Sequence, residues 1–350
     1  MRSPYFYRGA RSGAFTLIEM LAAMAVLIVL LGIIVGVTNS VSTTVRRASA
    51  GVDALANART GFDLINRTLS QATLNTYWEY DNPLSPTQYL RQSDLQFVIR
   101  QNTQNPGYGQ EVFFAAPETY SSNAALRSTR GLLNGCSIFV HFGGSQDFRP
   151  SGITADKSRY RLMVGLQPTE QLQIFNRPAR TANQAESAYR AAVQTYWDAL
   201  GWITSLQNGP ATVGPAVTPV ADNVIALIAW PRLPSSEDPA GLSLISNDSF
   251  DYNSQAGALI LPQKITANQL PPVIEITMIA ISEASAARLD DKSGTPPAAI
   301  QTALQGRFED VSKFRDDLKA VSDALSSAHV EFQIFSTSVP LRESKWSKAQ

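Results

Sequence analysis

The sequence contains one cysteine and two histidines in 350 residues. A lone Cys136 allows no intrachain disulfide, and without a nearby histidine it reads as a small buried residue rather than a nucleophile. His141 and His329 stand far apart, each read into a strand, with no acid or thiol at metal-ligand spacing. No metal and no cofactor are expected. Neither sign of charge is in excess: 29 basic and 29 acidic residues give a formal net charge of zero. No basic patch carries interleaved aromatics, so nucleic acid is not an expected partner. Gly143-Gly144-Ser145 matches neither a nucleophile elbow nor a phosphate loop. Asp290-Asp291 and the group Asn247, Asp248 and Asp251 lack the alternation and glycine of a calcium-binding EF-hand and read as solvated turns. There is no internal repeat and no low-complexity tract. With no convergent catalytic set, the chain is not expected to be an enzyme.

What is present is concentrated at the N-terminus. Arg2, Arg8 and Arg11 form a basic leader without an acid, ending at Gly13-Ala14. Phe15-Thr16-Leu17-Ile18-Glu19-Met20 follows, and then an apolar run to about Val41; the next charge after Glu19 is Arg46. The run reaches the roughly 20 residues a helix needs to span a bilayer. The leader arginines place the N-terminus in the cytoplasm by the positive-inside rule. An ordinary secretory signal has its small-residue cleavage site after the apolar run; here the small pair precedes it. Glu19 is the anomaly, because a carboxylate at membrane depth costs about 2.5–3.5 kcal/mol and calls for a partner. Cleavage before Phe15 would create an α-amino group four residues from Glu19, available to it in the same helix or from a neighbouring one. Losing the three leader arginines leaves 26 basic against 29 acidic residues, a formal charge of −3.

Phe15-Thr16-Leu17-Ile18-Glu19 before an apolar helix resembles the prepilin N-terminus of type IV pilins and type II secretion pseudopilins. The resemblance implies that a prepilin peptidase cuts before Phe15 and N-methylates it. It also implies that Glu19 pairs with the N-terminal amine of a neighbouring subunit during assembly. The family prefers Gly immediately before the cut; Ala14 stands there, with Gly13 one step back, which implies slower processing. Cutting after Gly13 would shift Glu19 out of its expected position. The missing disulfide, which many major pilins have, and the length favour a minor or pseudopilin-like subunit.

Downstream, Val45, Val52, Leu55, Phe62, Ile65, Leu69 and Ala72 recur at helical spacing. They predict one helix from Phe15 to about Leu74, roughly 90 Å long at about 1.5 Å per residue. Gly51 and Gly61 would each cost about 1 kcal/mol against Ala and would allow a bend. Residues 75–86 read as a loop. Short strands are predicted at Leu95–Ile99, Val112–Ala115, Ser137–Phe142, Arg161–Leu166, Asn223–Trp230, Val273–Ile281 and Val330–Thr337. A helical insertion over 183–206 carries Trp197 and Trp202, and a C-terminal helix runs from about Ile300 to Leu325. The insertion and the basic tail around Trp346 are the exposed candidates for protein contacts. Residues 208–219 are too rich in Gly and Pro to hold an element.

The order of Asn223–Trp230 and then Pro271–Met278 is similar to that of the J-type minor pseudopilin. A closer resemblance, to the pilin-like Verru_Chthon cassette protein C family of Verrucomicrobia, lies in three groups of residues. They are Ser70–Trp78, Arg91–Leu95, and the tail Val339–Arg342 with Lys345-Trp346-Ser347. The resemblance implies an α+β, pilin-like fold: a long N-terminal transmembrane helix packed on an antiparallel sheet domain with inserted and C-terminal helices. The expected parts are leader 1–14, transmembrane and assembly helix 15–41, its soluble continuation 42–74, and a periplasmic domain 75–350. The expected location is the inner membrane, single-pass, with a cytoplasmic N-terminus and a periplasmic C-terminal domain. The expected partners are the prepilin peptidase, the inner membrane and other pilin-like subunits, joined through the N-terminal helix into a pseudopilus or pilus-like complex. The alternative is a binding or sensor module on a simple anchor, with neither processing nor dependence on Glu19.

Overall fold

A computed structural model describes residues 17–82, 84–103, 108–126, 128–146, 152, 156–207, 216–245, 247–260, 262–290 and 292–347. Contacts group the chain into two units, Met1–Ala50 and Gly51–Gln350. Helix α1 spans Leu17–Leu69 and contributes to both.

In the second unit α1 ends five residues earlier than its apolar spacing predicts. Ser70 Oγ and Gln71 Nε2 both donate to the Arg67 carbonyl, at 2.8 and 3.3 Å, which satisfies an orphan acceptor of the last turn. Thr73 then leaves the helix to bridge Ala115. Ala58, Phe62, Ile65 and Leu69 are buried at i, i+4, i+7 and i+11, one face of the helix. Gly61 stands on this face for contact rather than bending: a Cβ there would lie 2.8 Å from Ala221 Cβ.

The described residues form mostly antiparallel sheet, eleven strands in three sheets. The smallest is a hairpin of β1 (Tyr77–Tyr80) and β2 (Tyr89–Gln92), where a loop was expected. It holds because Tyr80 and Tyr89 stack across the strands at 4.8 Å. Asp81 also accepts from the backbone of Asn82, Thr87 and Gln88 and closes the turn.

The six-stranded sheet contains β3 (Val98–Gln101), β4 (Gln110–Ala116), β5 (Asn134–Gly143), β6 (Arg159–Gln167), β7 (Ala216–Asp222) and β9 (Tyr252–Asn253), in the order β7-β6-β5-β4-β3-β9. β7 contains Pro219 and begins within the stretch 208–219 read as element-free. An edge strand tolerates proline because its outer N–H has no ladder partner to serve. The three-stranded sheet has the order β11-β10-β8, with β8 (Val224–Arg232), β10 (Val273–Ile281) and β11 (Phe332–Pro340). β8 and β10 fall where their apolar runs predict.

β5 is an inner strand of the six-stranded sheet and is buried on both faces over residues 134–140. Cys136, Ile138 and Val140 join the main core on one face, with Leu162 and Val164 of β6. Ser137 and Phe139 point to the other, where Ser137 Oγ donates to the Leu206 carbonyl at 2.8 Å and Phe139 meets Met163 and Val217. Leu206 belongs to the 183–206 insertion, which is two helices, α2 (Glu186–Ala199) and α3 (Gly201–Gln207). Left-handed Leu200 (φ 50°) breaks them. The break lets both tryptophans enter the core: Trp202 Nε1 donates to Gln96 Oε1 at 2.7 Å, and Gln96 Nε2 donates to the Trp197 carbonyl at 3.2 Å.

A short α4 (Glu283–Leu289) follows β10. The predicted C-terminal helix is divided into α5 (Ala298–Leu304) and α6 (Phe314–Ser327). Phe308 turns left-handed between them (φ 58°), its N–H held by Asp317 Oδ2 at 2.9 Å. That turn packs Phe308 against Phe314, which meets Trp230 at 4.5 Å.

The expected plan of a long N-terminal transmembrane helix packed on one antiparallel sheet domain is therefore corrected to three antiparallel sheets with interspersed helices. Among the described residues no helix is long and apolar enough to cross a membrane. α1 has 53 residues but is apolar only in its first part. The single-pass inner-membrane placement, with a cytoplasmic N-terminus and a periplasmic domain, is corrected on the same ground.

Candidate assembly site

Of the residues singled out by the N-terminal motif, Gly13, Ala14 and Phe15 lie outside the described residues. Glu19 lies in the first turn of α1, and its side chain is also outside them. Leu17, Ile18, Met20, Leu21, Met24 and the large apolar residues from Val26 to Val35 are each between 51 and 80 % exposed. No described residue covers them. Isolated exposed leucines need no explanation, but a continuous apolar face of this length marks an interaction surface.

The remaining chemistry-bearing residues are committed to structure. Cys136 is fully buried in β5, and burial pushes its thiol well above the usual range, so it is no nucleophile. His141 lies in β5 beside Arg161 of β6. Burial lowers its pKa first and the Arg161 charge second, which keeps the ring neutral. His329 is not in a strand; it is the left-handed residue after α6 (φ 55°), and its carbonyl accepts from Arg288 at 2.6 Å. Among the described residues no group of three or more His, Cys, Asp or Glu side chains could hold a metal. Asp251 accepts from the Gln101 N–H at 3.1 Å, the Asp248 carbonyl accepts from Val311 at 2.8 Å, and Asp290 accepts from Lys292 at 2.9 Å. Asp291 lies outside the described residues.

The three sequence stretches that carry the cassette-protein resemblance converge where α1 leaves the core. Asn75 Oδ1 accepts from Ser93 Oγ and from the Asp94 N–H, both at 2.9 Å, while its Nδ2 donates to Asp94 Oδ2 at 3.0 Å. Arg177 closes on Asp94 at 2.6 Å. Burial and the adjacent Asp94 raise the pKa of Tyr77. Arg91, only 2 % exposed, donates to the carbonyls of Ala267, Lys264, Ile265 and Ser347 at 3.2–3.4 Å, with its guanidinium 5.8 Å from the Trp78 ring. The tail is docked rather than frayed: Arg342 donates its N–H to the Ser70 carbonyl at 3.2 Å, and Ser347 donates its own to Gln269 Oε1 at 2.8 Å. A cavity of about 80 Å³ between them is lined by Asn75, Thr76, Gln269, Glu343 and Lys345, among others. This junction clamps the helix exit, the hairpin and the C-terminus together. Composition and periodicity gave no sign of Arg91 or Asp94 as its centre; only their place in the quoted stretches did.

No family model, no curated protein and no solved structure matches the chain.

Proposed function

We propose that this chain is a minor, prepilin-type assembly subunit. It is cut between Ala14 and Phe15, methylated on Phe15, and joined to other prepilin-like subunits through the apolar face of α1. One observation carries the reading: that face is open from Leu17 to Val35, beside a lone acid at its head. Covering a large apolar side chain is worth about 1.5–3 kcal/mol, so helices of the same kind gain strongly by packing together. Glu19 sets the register, because an acid brought into such a packing costs free energy unless a positive group meets it. The α-amino group that cleavage would create at Phe15 supplies that charge. The sheet-rich unit contributes no catalytic group to this reading and carries the contacts that distinguish one subunit from another.

Glu19→Ala is the test. The variant should be cut by a co-expressed prepilin peptidase as the parent is, yet fail to enter the oligomer recovered by cross-linking and size fractionation. Wild-type assembly by the variant would remove Glu19 from the account. An uncut parent chain in the presence of the peptidase would favour the simple anchored module instead.

A further inference from the structure

A groove of about 510 Å³ opens between the end of β3 and the last turn of α5. That volume lies within the range of small-ligand sites. Tyr108 and Leu304 form its floor and are buried; Gln101, Gln301, Gln305 and Glu309 form its walls and are exposed. Among the described residues, the side chains of Gln101, Gln305 and Glu309 have no hydrogen-bond partner, so their polar atoms are open to a ligand in the groove they line. No Lys, Arg or His lines it among the described residues, which disfavours phosphates, nucleotides and other anions. Its apolar lining is too sparse for a lipid.

Each glutamine amide both donates and accepts. Tyr108 is held by Tyr160 at 3.3 Å and by Gln301, which leaves the Gln101 and Gln305 amides and the Glu309 carboxylate to match a ligand whose groups also donate and accept, namely a neutral ring bearing adjacent hydroxyls. An extended peptide fits less well. Strand addition needs a free sheet edge, and here β9 pairs with Val98 and Ile99 while Asp251 holds the Gln101 N–H at 3.1 Å.

We propose that this groove is a binding site for a neutral oligosaccharide, with Gln101, Gln305 and Glu309 as its hydrogen-bonding side chains. The site lies wholly in the second unit and is independent of α1 assembly.

Saturation-transfer NMR on the full chain tests it, with a sugar-free zwitterionic detergent covering the apolar face of α1. The probes are cellobiose, N,N′-diacetylchitobiose and maltose, each raised to about 10 mM, where weak sites with millimolar Kd fill. At least one should bind saturably, and Gln101→Ala/Gln305→Ala should weaken it by about tenfold or more, the scale of lost hydrogen bonds. Glu343→Ala, outside the groove, should bind as the parent does. An unchanged thermal midpoint in the double variant keeps folding out of the comparison. No saturable binding by any of the three sugars, binding indifferent to the double substitution, or the same dependence seen for trialanine instead would overturn the proposal.

Discussion

Gly109→Ala should strongly destabilise the second unit, because the new methyl group meets both a strained backbone and a neighbouring strand. Gly109 sits at φ +85° and bridges Leu227, the residue at which β8 meets the six-stranded sheet. Leu227 in turn donates its N–H to the Tyr108 carbonyl at 3.2 Å, and Gly109 accepts from Asn102 at 2.9 Å. An added Cβ would fall on the Leu227 carbonyl oxygen, deep inside contact distance and against backbone that cannot step aside. The left-handed conformation costs about 1–2 kcal/mol for an L-residue, and overpacking adds about 1–3 kcal/mol. A loss of roughly 3 kcal/mol or more in urea unfolding is expected, with an unchanged slope. Gly131→Ala is the matched control, because Gly131 has φ +72° but open space around it; only the conformational share should appear there. Equal losses at both positions would mean that the approach of β8 to the sheet is not what Gly109 secures.

Arg91→Met should be nearly as damaging, through lost hydrogen bonds. The substitution keeps an apolar stem but strips the donors from four backbone carbonyls. One of these is in the tail and three are in the segment 264–267. Burial lowers the arginine's pKa, with Tyr252 partly opposing, and the carbonyls are the acceptors that a buried guanidinium needs. Leaving buried carbonyls without their donor costs about 1–3 kcal/mol. Hydrogen exchange at Gln269 and Ser347 should accelerate well before global unfolding. A cost under about 1 kcal/mol, with tail protection intact, would show that the tail docks without Arg91.

The parts legible in the sequence were those whose local pattern and tertiary setting agree. β10 is introduced by Pro271-Pro272 and is apolar at all but Glu275 and Thr277, and it forms over the residues its pattern marks. The strand read at Ser137–Phe142 forms as part of β5, but Ser137 and His141 interrupt its apolar run, so its burial on both faces follows from its inner place in the sheet. Elements were misread where a local signal was overruled from far away in sequence. Tyr77–Tyr80 resembles loop until Tyr89 and Arg91 are placed opposite it. Pro219 argues against a strand until β7 is known to be an edge. The 183–206 and 300–325 helices break at Leu200 and Phe308, neither a residue that marks a stop, because core tryptophans and phenylalanines reward the turn. The two tryptophans offered as a contact face are core for the same reason. The membrane placement rested on a continuous apolar run, and it does not stand against the helices described.

The candidate site divides in the same way. Phe15 and Glu19 were visible as a short motif whose spacing has a chemical meaning. The convergence of Asn75, Asp94, Arg91 and the tail was not, since it depends on contacts spanning up to 256 residues in sequence. The oligosaccharide groove had no sequence signature, because exposed glutamines are unremarkable until the fold gathers them.

The most direct test of the central claim is the intact mass of the chain after co-expression with a prepilin peptidase. The account predicts a mass lower by residues 1–14 and higher by one methyl group, with Phe15 as the new N-terminus. A full-length mass, or cleavage after Gly13 or beyond Glu19, would contradict it.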